Sequence, residues 1–163
     1  MSDVRIRPAS GEETLALWGY DRASAPPTAV FFYQNIAAGN AVFWALEREG
    51  ALIGELYAFL DIEEDRDFAD GSAAAYLCAF RVREDFRGRG LGSRLMEAAL
   101  DDLRERGFRR VTIGADGERQ EKLYRRLGFD TIIKTCYFDP CARDENMRPL
   151  PVEEGYVLLA KAL

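Results

Sequence analysis

The chain has 163 residues, 48% of them apolar and 31% charged, with a formal net charge of −6. That length is expected to form one domain over residues 1–163 with its own core; no apolar run approaches the ~20 residues of a membrane span, and the acidic balance argues against general nucleic-acid binding. There is no histidine, which removes Ser-His-Asp, Cys-His and histidine-metal chemistry together.

Val4–Arg7 alternates as a short strand, and Glu12–Tyr20, with Leu15, Leu17 and Trp18, reads as a helix. Pro26-Pro27 interrupts the chain, and Val30–Ala38 forms a second apolar helix stopped at Gly39-Asn40. Ala41–Glu47 and Leu52–Leu60 are strands joined by a turn at Glu49-Gly50. Asp61–Gly71 is a long acidic loop, expected to be solvated. Ala75–Val82 is a strong strand. A glycine-rich loop leads from it into the helix Ser93–Arg106, whose Leu95, Met96, Ala99, Leu100 and Leu103 share one face. Gly107 suits the residue after that helix. Val111–Ala115 is a strand and Glu118–Leu127 a helix stopped by Gly128. Thr131–Phe138 and Tyr156–Ala160 are strands around a loop rich in proline (Pro140, Pro149, Pro151). The order β-α-α-β-β-β-α-β-α-β-β predicts a mixed sheet, with a right-handed crossover from strand 75–82 to strand 111–115.

Cys78, Cys136 and Cys141 have no metal-like spacing, and no metal is expected. The opening MSDVRIRPAS lacks the apolar segment of an export signal, so reduced thiols in a cytoplasm are expected. Cys141 follows a proline in the predicted loop; a bystander thiol is favoured there over a reactive one.

The stretch FRGRGLGSRL (86–95) carries the chemistry. Residues 81–94 hold five arginines against Glu84 and Asp85, a positive island in an acidic chain. Glycines let a backbone turn tightly and let a ligand approach its amides. The first turn of a helix has unpaired N–H groups and favours an anion. Arg87, Arg89 and Arg94 add charge-assisted donors. A P-loop pattern fails because no lysine stands before Ser93. A dinucleotide fingerprint begins at Gly88-x-Gly90, but its third glycine falls at Gly92 where the pattern needs it at Ser93. Arg83–Arg87 also separate strand and glycines too widely. The pattern Arg/Gln-x-x-Gly-x-Gly/Ala fits Arg87-Gly88-Arg89-Gly90-Leu91-Gly92 without a mismatch.

With that loop, the chain resembles the GNAT superfamily of N-acetyltransferases. LYRRLGFD (Leu123–Asp130) resembles the second signature of that family, a helix with a tyrosine that ends in Leu-Gly-Phe. The closing YVLLAKAL looks like its final strand. The likeness covers residues 75–163 well and residues 1–60 in element order. It implies an α/β (α+β) fold: a mixed, mostly antiparallel central sheet of about seven strands flanked by about four helices.

The resemblance further implies that Arg87, Gly88, Arg89, Gly90, Leu91, Gly92 and Ser93 hold the pyrophosphate of acetyl-CoA. Backbone groups of Phe80, Arg81 and Val82 would pair with its pantetheine arm, and an N–H near Val82 would polarise the thioester carbonyl. Tyr124 matches the general acid, since a phenol is protonated at neutral pH and can donate to a departing thiolate. Core packing is the competing account of Tyr124. Gly117 and Gln120 depart from the Asn and Ala common in the family, which bears on the cofactor contact there. The general base stays open: Glu55, Asp61, Glu12 and Glu13 are candidates and none is singled out. Trp18, Tyr20, Phe31, Phe32 and Tyr33 fit either core packing or an acceptor pocket.

The expected activity is acetyl-CoA-dependent transfer to a primary amine of a small molecule or peptide, by direct attack in a ternary complex. A non-catalytic acyl-CoA-binding module is the alternative. Nucleic-acid and membrane partners are not expected. Homodimers are common in the family, and no feature of this sequence demonstrates one.

Overall fold

The computed structural model describes residues 3–163. In chain order the elements are β1 (Val4–Ala9), α1 (Gly11–Trp18), α2 (Pro27–Ala37), β2 (Ala41–Arg48), β3 (Ala51–Phe59), β4 (Ala74–Val82), α3 (Leu91–Glu105), β5 (Arg110–Ala115), α4 (Glu118–Arg126), β6 (Thr131–Arg143) and β7 (Pro149–Ala162). A single 3-10 turn, Glu84–Phe86, lies between β4 and α3. The seven strands form one sheet in the order β1-β2-β3-β4-β5-β7-β6. Every pairing is antiparallel except β4 with β5. The expected architecture, a mostly antiparallel mixed sheet with four helices, is the one observed.

Local chemistry explains most boundaries. Ser10 caps α1 in a reciprocal box: its hydroxyl accepts from the Glu13 amide, and the Glu13 carboxylate accepts from the Ser10 amide. Arg7 also holds Glu13, at 2.6 Å, and this contact most strongly keeps the Glu13 carboxyl below its ordinary range. Pro27 opens α2, where its missing N–H is harmless, so the helix begins three residues before the expected start. Glu49 and Gly50 both have positive φ, at 53° and 81°, as a two-residue hairpin turn requires.

The sheet is buried on both faces. One face packs Leu46, Leu56 and Leu77 against Leu95, Ala99, Leu100 and Leu103 of α3, with Tyr124 and Phe129 at one side. The other packs Phe43, Tyr57, Phe59 and Tyr76 under Phe32 of α2, with Trp18 of α1 beside them. The helix pairs thus cover opposite faces of the sheet.

Two regions differ from the sequence reading. The proline-rich stretch after Phe138 is largely strand, because β6 runs on to Arg143 and β7 begins at Pro149. Its prolines sit at a register shift or at the start of a strand, where a missing N–H breaks no ladder. Cys141 is therefore buried in β6, and burial pushes its thiol pKa well up. The acidic loop 61–71 is anchored, not simply solvated. Phe68 and Ala69 are fully buried. Asp65 and Asp67 bind Lys134, and Glu64 binds Arg143 at 3.1 Å. Asp70 folds the end of the loop by accepting from the amides of Ser72, Ala73 and Ala74.

Candidate active site

The site begins with a defect in the sheet. β4 and β5 pair only from Ala74↔Arg110 to Leu77↔Ile113. β4 then continues to Val82, while β5 continues to Ala115 beside β7. The cause lies in β4. Against β3, Cys78 pairs with Tyr57 and Arg81 with Glu55, so Ala79 and Phe80 together oppose Leu56. Ala79 takes φ 51° to form this bulge. A bulge bends its strand and sharpens the twist, which turns the end of β4 away from β5. The Arg83 amide donates to the Ile53 carbonyl at 2.8 Å. Antiparallel alternation therefore aims the backbone of Val82 into the gap.

A cleft of about 880 Å³ passes through this gap. On the α3–α4 side it is lined by Phe80, Val82, Arg87, Gln120 and Tyr124. On the α1–α2 side Trp18, Tyr20, Phe32, Glu55 and Arg81 line it. Cys78 of β4 also lines it, together with Asp139 and Cys141 from the part of β6 where the sequence predicts a loop.

The glycine stretch follows Arg87 out of the cleft wall. α3 begins at Leu91, two residues earlier than expected, with Gly90 as its N-cap. Gly88 and Gly90 both have φ 76°, a conformation that side chains resist. Gly90 has no capping side chain, and the Arg94 amide is bonded to its carbonyl. The amides of Leu91, Gly92 and Ser93 lie in the first helical turn, where intrahelical acceptors are lacking. That cradle suits a pyrophosphate. Arg87 donates from Nε to the Val82 carbonyl at 2.8 Å, so it ties the loop to β4 and occupies one of the acceptors expected to face pantetheine. The guanidinium of Arg89 lies 5.3 Å from the Phe86 ring centroid, with Arg83 also on that ring at 4.8 Å.

Tyr124 is buried at the end of α4, near Phe129, and burial raises its phenol pKa. The phenol therefore stays protonated across neutral pH. Gly117 is the N-cap of α4 with φ 86° and carries no capping side chain. The Gln120 side chain instead accepts from the Asp116 amide at 2.9 Å.

Of the four candidate carboxylates, only Glu55 lines the cleft. Glu12 accepts from the Tyr33 hydroxyl, Glu13 serves the α1 cap, and Asp61 binds Arg66 beside a separate pocket. Glu55 is 5% exposed. Its Oε1 accepts from Trp18 Nε1 at 2.8 Å, and its Oε2 lies 3.7 Å from Arg81 Nη1. The sequence did carry a signal here: Glu55 is the lone charge within Ala51–Leu60, and a buried charge needs a partner or a task. The aromatic group divides between both accounts. Trp18, Tyr20 and Phe32 line the cleft, whereas Phe31 stacks on Phe59 and Tyr33 lies beside α1.

The acetyltransferase (GNAT) family profile matches residues 11–129. The chain belongs to that family. A mycothiol acetyltransferase of Cellulomonas flavigena is 33% identical over 106 residues, 63% of this chain and 30% of that protein. Another, of Corynebacterium aurimucosum, is 42% identical over 57 residues, 34% of this chain and 19% of that protein. The matches thus span less than a third of either relative. Among solved structures, a GNAT acetyltransferase of Elizabethkingia anophelis with acetyl-CoA bound has a TM-score of 0.62 at 17% identity, covering 100% of both chains. A polyamine N-acetyltransferase of Drosophila melanogaster has a TM-score of 0.62 at 19% identity, covering 99% of both chains. These two establish the fold.

Proposed function

We propose that this chain is an acetyl-CoA-dependent N-acetyltransferase that acts on a primary amine of a small molecule or peptide. The observation that carries the reading is the cleft through the sheet, which joins a phenol on one side, where Arg87 leads into the glycine turn of α3, to a buried carboxylate on the other. When bound, acetyl-CoA supplies an acetyl group activated as a thioester.

The residues fit that donor. The first amides of α3 receive the pyrophosphate, with Gly88, Arg89, Gly90, Leu91, Gly92 and Ser93 forming the cradle and Arg87 securing it to β4. The edge of β4 that faces the gap receives the pantetheine arm at Phe80 and Val82, with the Val82 N–H toward the thioester carbonyl, whereas the Arg81 backbone, expected to share this role, is turned to β3 opposite Glu55. Arg87 already engages the Val82 carbonyl, so the amide is the backbone group of Val82 left to serve the ligand. On the opposite face Glu55 takes the proton that the acceptor ammonium gives up. The hydroxyl of Tyr124 donates a proton to the departing sulfur, as its burial and raised pKa allow. Attack is direct, with both substrates in the cleft together.

The test is thiol release from acetyl-CoA with a panel of primary amines. Release with at least one amine is expected, reduced roughly 100-fold in Tyr124→Phe with acetyl-CoA affinity retained. The substitution of Gly117 and Gln120 for the family's usual residues favours a second reading, a non-catalytic acyl-CoA-binding module. Acetyl-CoA binding without release for any amine would establish that reading.

A further inference from the structure

Arg81 lies on the strand that the proposed donor site uses, and its side chain faces the acceptor side. Glu55 and Arg81 are direct cross-strand partners on β3 and β4, so their side chains share a face. The contact between them is incomplete. Arg81 Nη1 stands 3.7 Å from Glu55 Oε2, beyond hydrogen-bond reach, and the Arg81 side chain is 61% exposed against 7% for Glu55. The guanidinium also rests 5.8 Å from the Trp18 ring centroid. The same indole fixes the other carboxylate oxygen. Glu55 is thus held at one oxygen by the indole, with the Tyr57 hydroxyl also facing the carboxylate, while the largely exposed Arg81 guanidinium stays beyond hydrogen-bond reach of the other oxygen.

This is the arrangement of an occupied cation seat. A buried carboxylate and an aromatic face together attract ammonium and guanidinium groups. We infer that the Arg81 side chain is the resident stand-in for the acceptor's cationic group, occupying the Glu55–Trp18 seat in the free protein and leaving it when an ammonium enters. The inference rests on the proposed role of Glu55 as the group that meets the acceptor amine. A neutral molecule cannot compensate Glu55 once Arg81 leaves, whereas a cation can. Arg81 would therefore select acceptors that arrive charged, at the cost of weaker binding for all of them.

The indole N–H of Trp18 reports directly on the seat, because it is bonded to Glu55. Its NMR signal, assigned with Trp18→Phe, can be followed at pH 8 while ethylammonium chloride replaces sodium chloride at constant ionic strength. We expect saturable shifts with an apparent Kd about tenfold lower in Arg81→Gln than in the native protein. Arg81→Lys, which keeps a cation, should stay near the native value. Glu55→Gln should abolish the response, and ethanol should produce none in any variant. An equal or higher Kd in Arg81→Gln, with the response still dependent on Glu55, overturns the displacement and leaves the role of Glu55 standing. A response that survives Glu55→Gln, or that is absent from every variant, overturns the seat and the acceptor role of Glu55 together. Unchanged thermal unfolding of Arg81→Gln would confirm that the fold is intact, as the exposure of this side chain predicts.

Discussion

A Cβ added at Gly92 would meet Phe80 Cζ at 3.4 Å and Val82 Cγ2 at 3.7 Å, ordinary contact distances. The fold therefore tolerates a methyl group there, and inside α3 alanine is the better helix former by about 1 kcal/mol. A ligand seated on the first amides of the helix would not tolerate it equally. Gly92→Ala is expected to raise the melting temperature while weakening acetyl-CoA at least tenfold, read by thermal unfolding and by titration calorimetry. Gly90 is the contrasting case: at φ 76° any side chain is strained, so lost binding in Gly90→Val mixes two causes. At this scale the glycine turn into α3 was legible because glycine spacing records backbone conformation directly. Glu55 stands out as the lone charge in an apolar strand, which signals burial, but its role was not separable from those of Glu12, Glu13 and Asp61, because that depends on which groups from distant strands and helices surround it.

Among the elements, β4 holds the feature on which the site depends. Ala79 adopts a left-handed conformation at the bulge, which costs a residue with a Cβ roughly 1 kcal/mol. Ala79→Gly should retain the cleft and unfold at equal or higher temperature. A β-branched Ala79→Val should destabilise and, by relaxing the bulge, lower acetyl-CoA affinity as well. The α1 cap offers a check away from the site. Ser10→Ala removes half of the capping box and is expected to cost about 1 kcal/mol in a urea unfolding titration. The Ser10–Glu13 spacing is a local signal, whereas the bulge at Ala79 has none: alanine has no special turn chemistry, and the register that forces it comes from pairing with β3. The strands past Phe138 escaped the sequence reading for a related reason. Their prolines resemble loop signals until the register shifts that accommodate them are known.

Across the whole molecule, the acidic balance of the chain is organised into contacts that hold distant segments together. Asp70 draws the loop 61–71 onto the start of β4, and bonds from Ala74, Ala73 and Ser72 amides lower its pKa. A carboxyl with a folded pKa below its unfolded value stabilises above that unfolded value, about 3.9 for Asp, and loses the effect as pH falls through the folded value. Asp70→Ala should therefore melt below the native protein at pH 7, and the gap should narrow as pH falls below about 4. A gap independent of pH would remove this account. Lys134 and Arg143 bind the same loop from β6, so it joins strands at the middle and at the edge of the sheet.

The sequence by itself determined the alternation of strands and helices, the glycine turn before α3 and the family, because each is written in local spacing that a single chain segment can satisfy. Only the tertiary structure decided where the sheet opens, which carboxylate reaches the cleft and what faces it. Those outcomes depend on register between strands and on packing from opposite faces, where residues as far apart as Trp18, Glu55, Arg81 and Tyr124 meet around one gap.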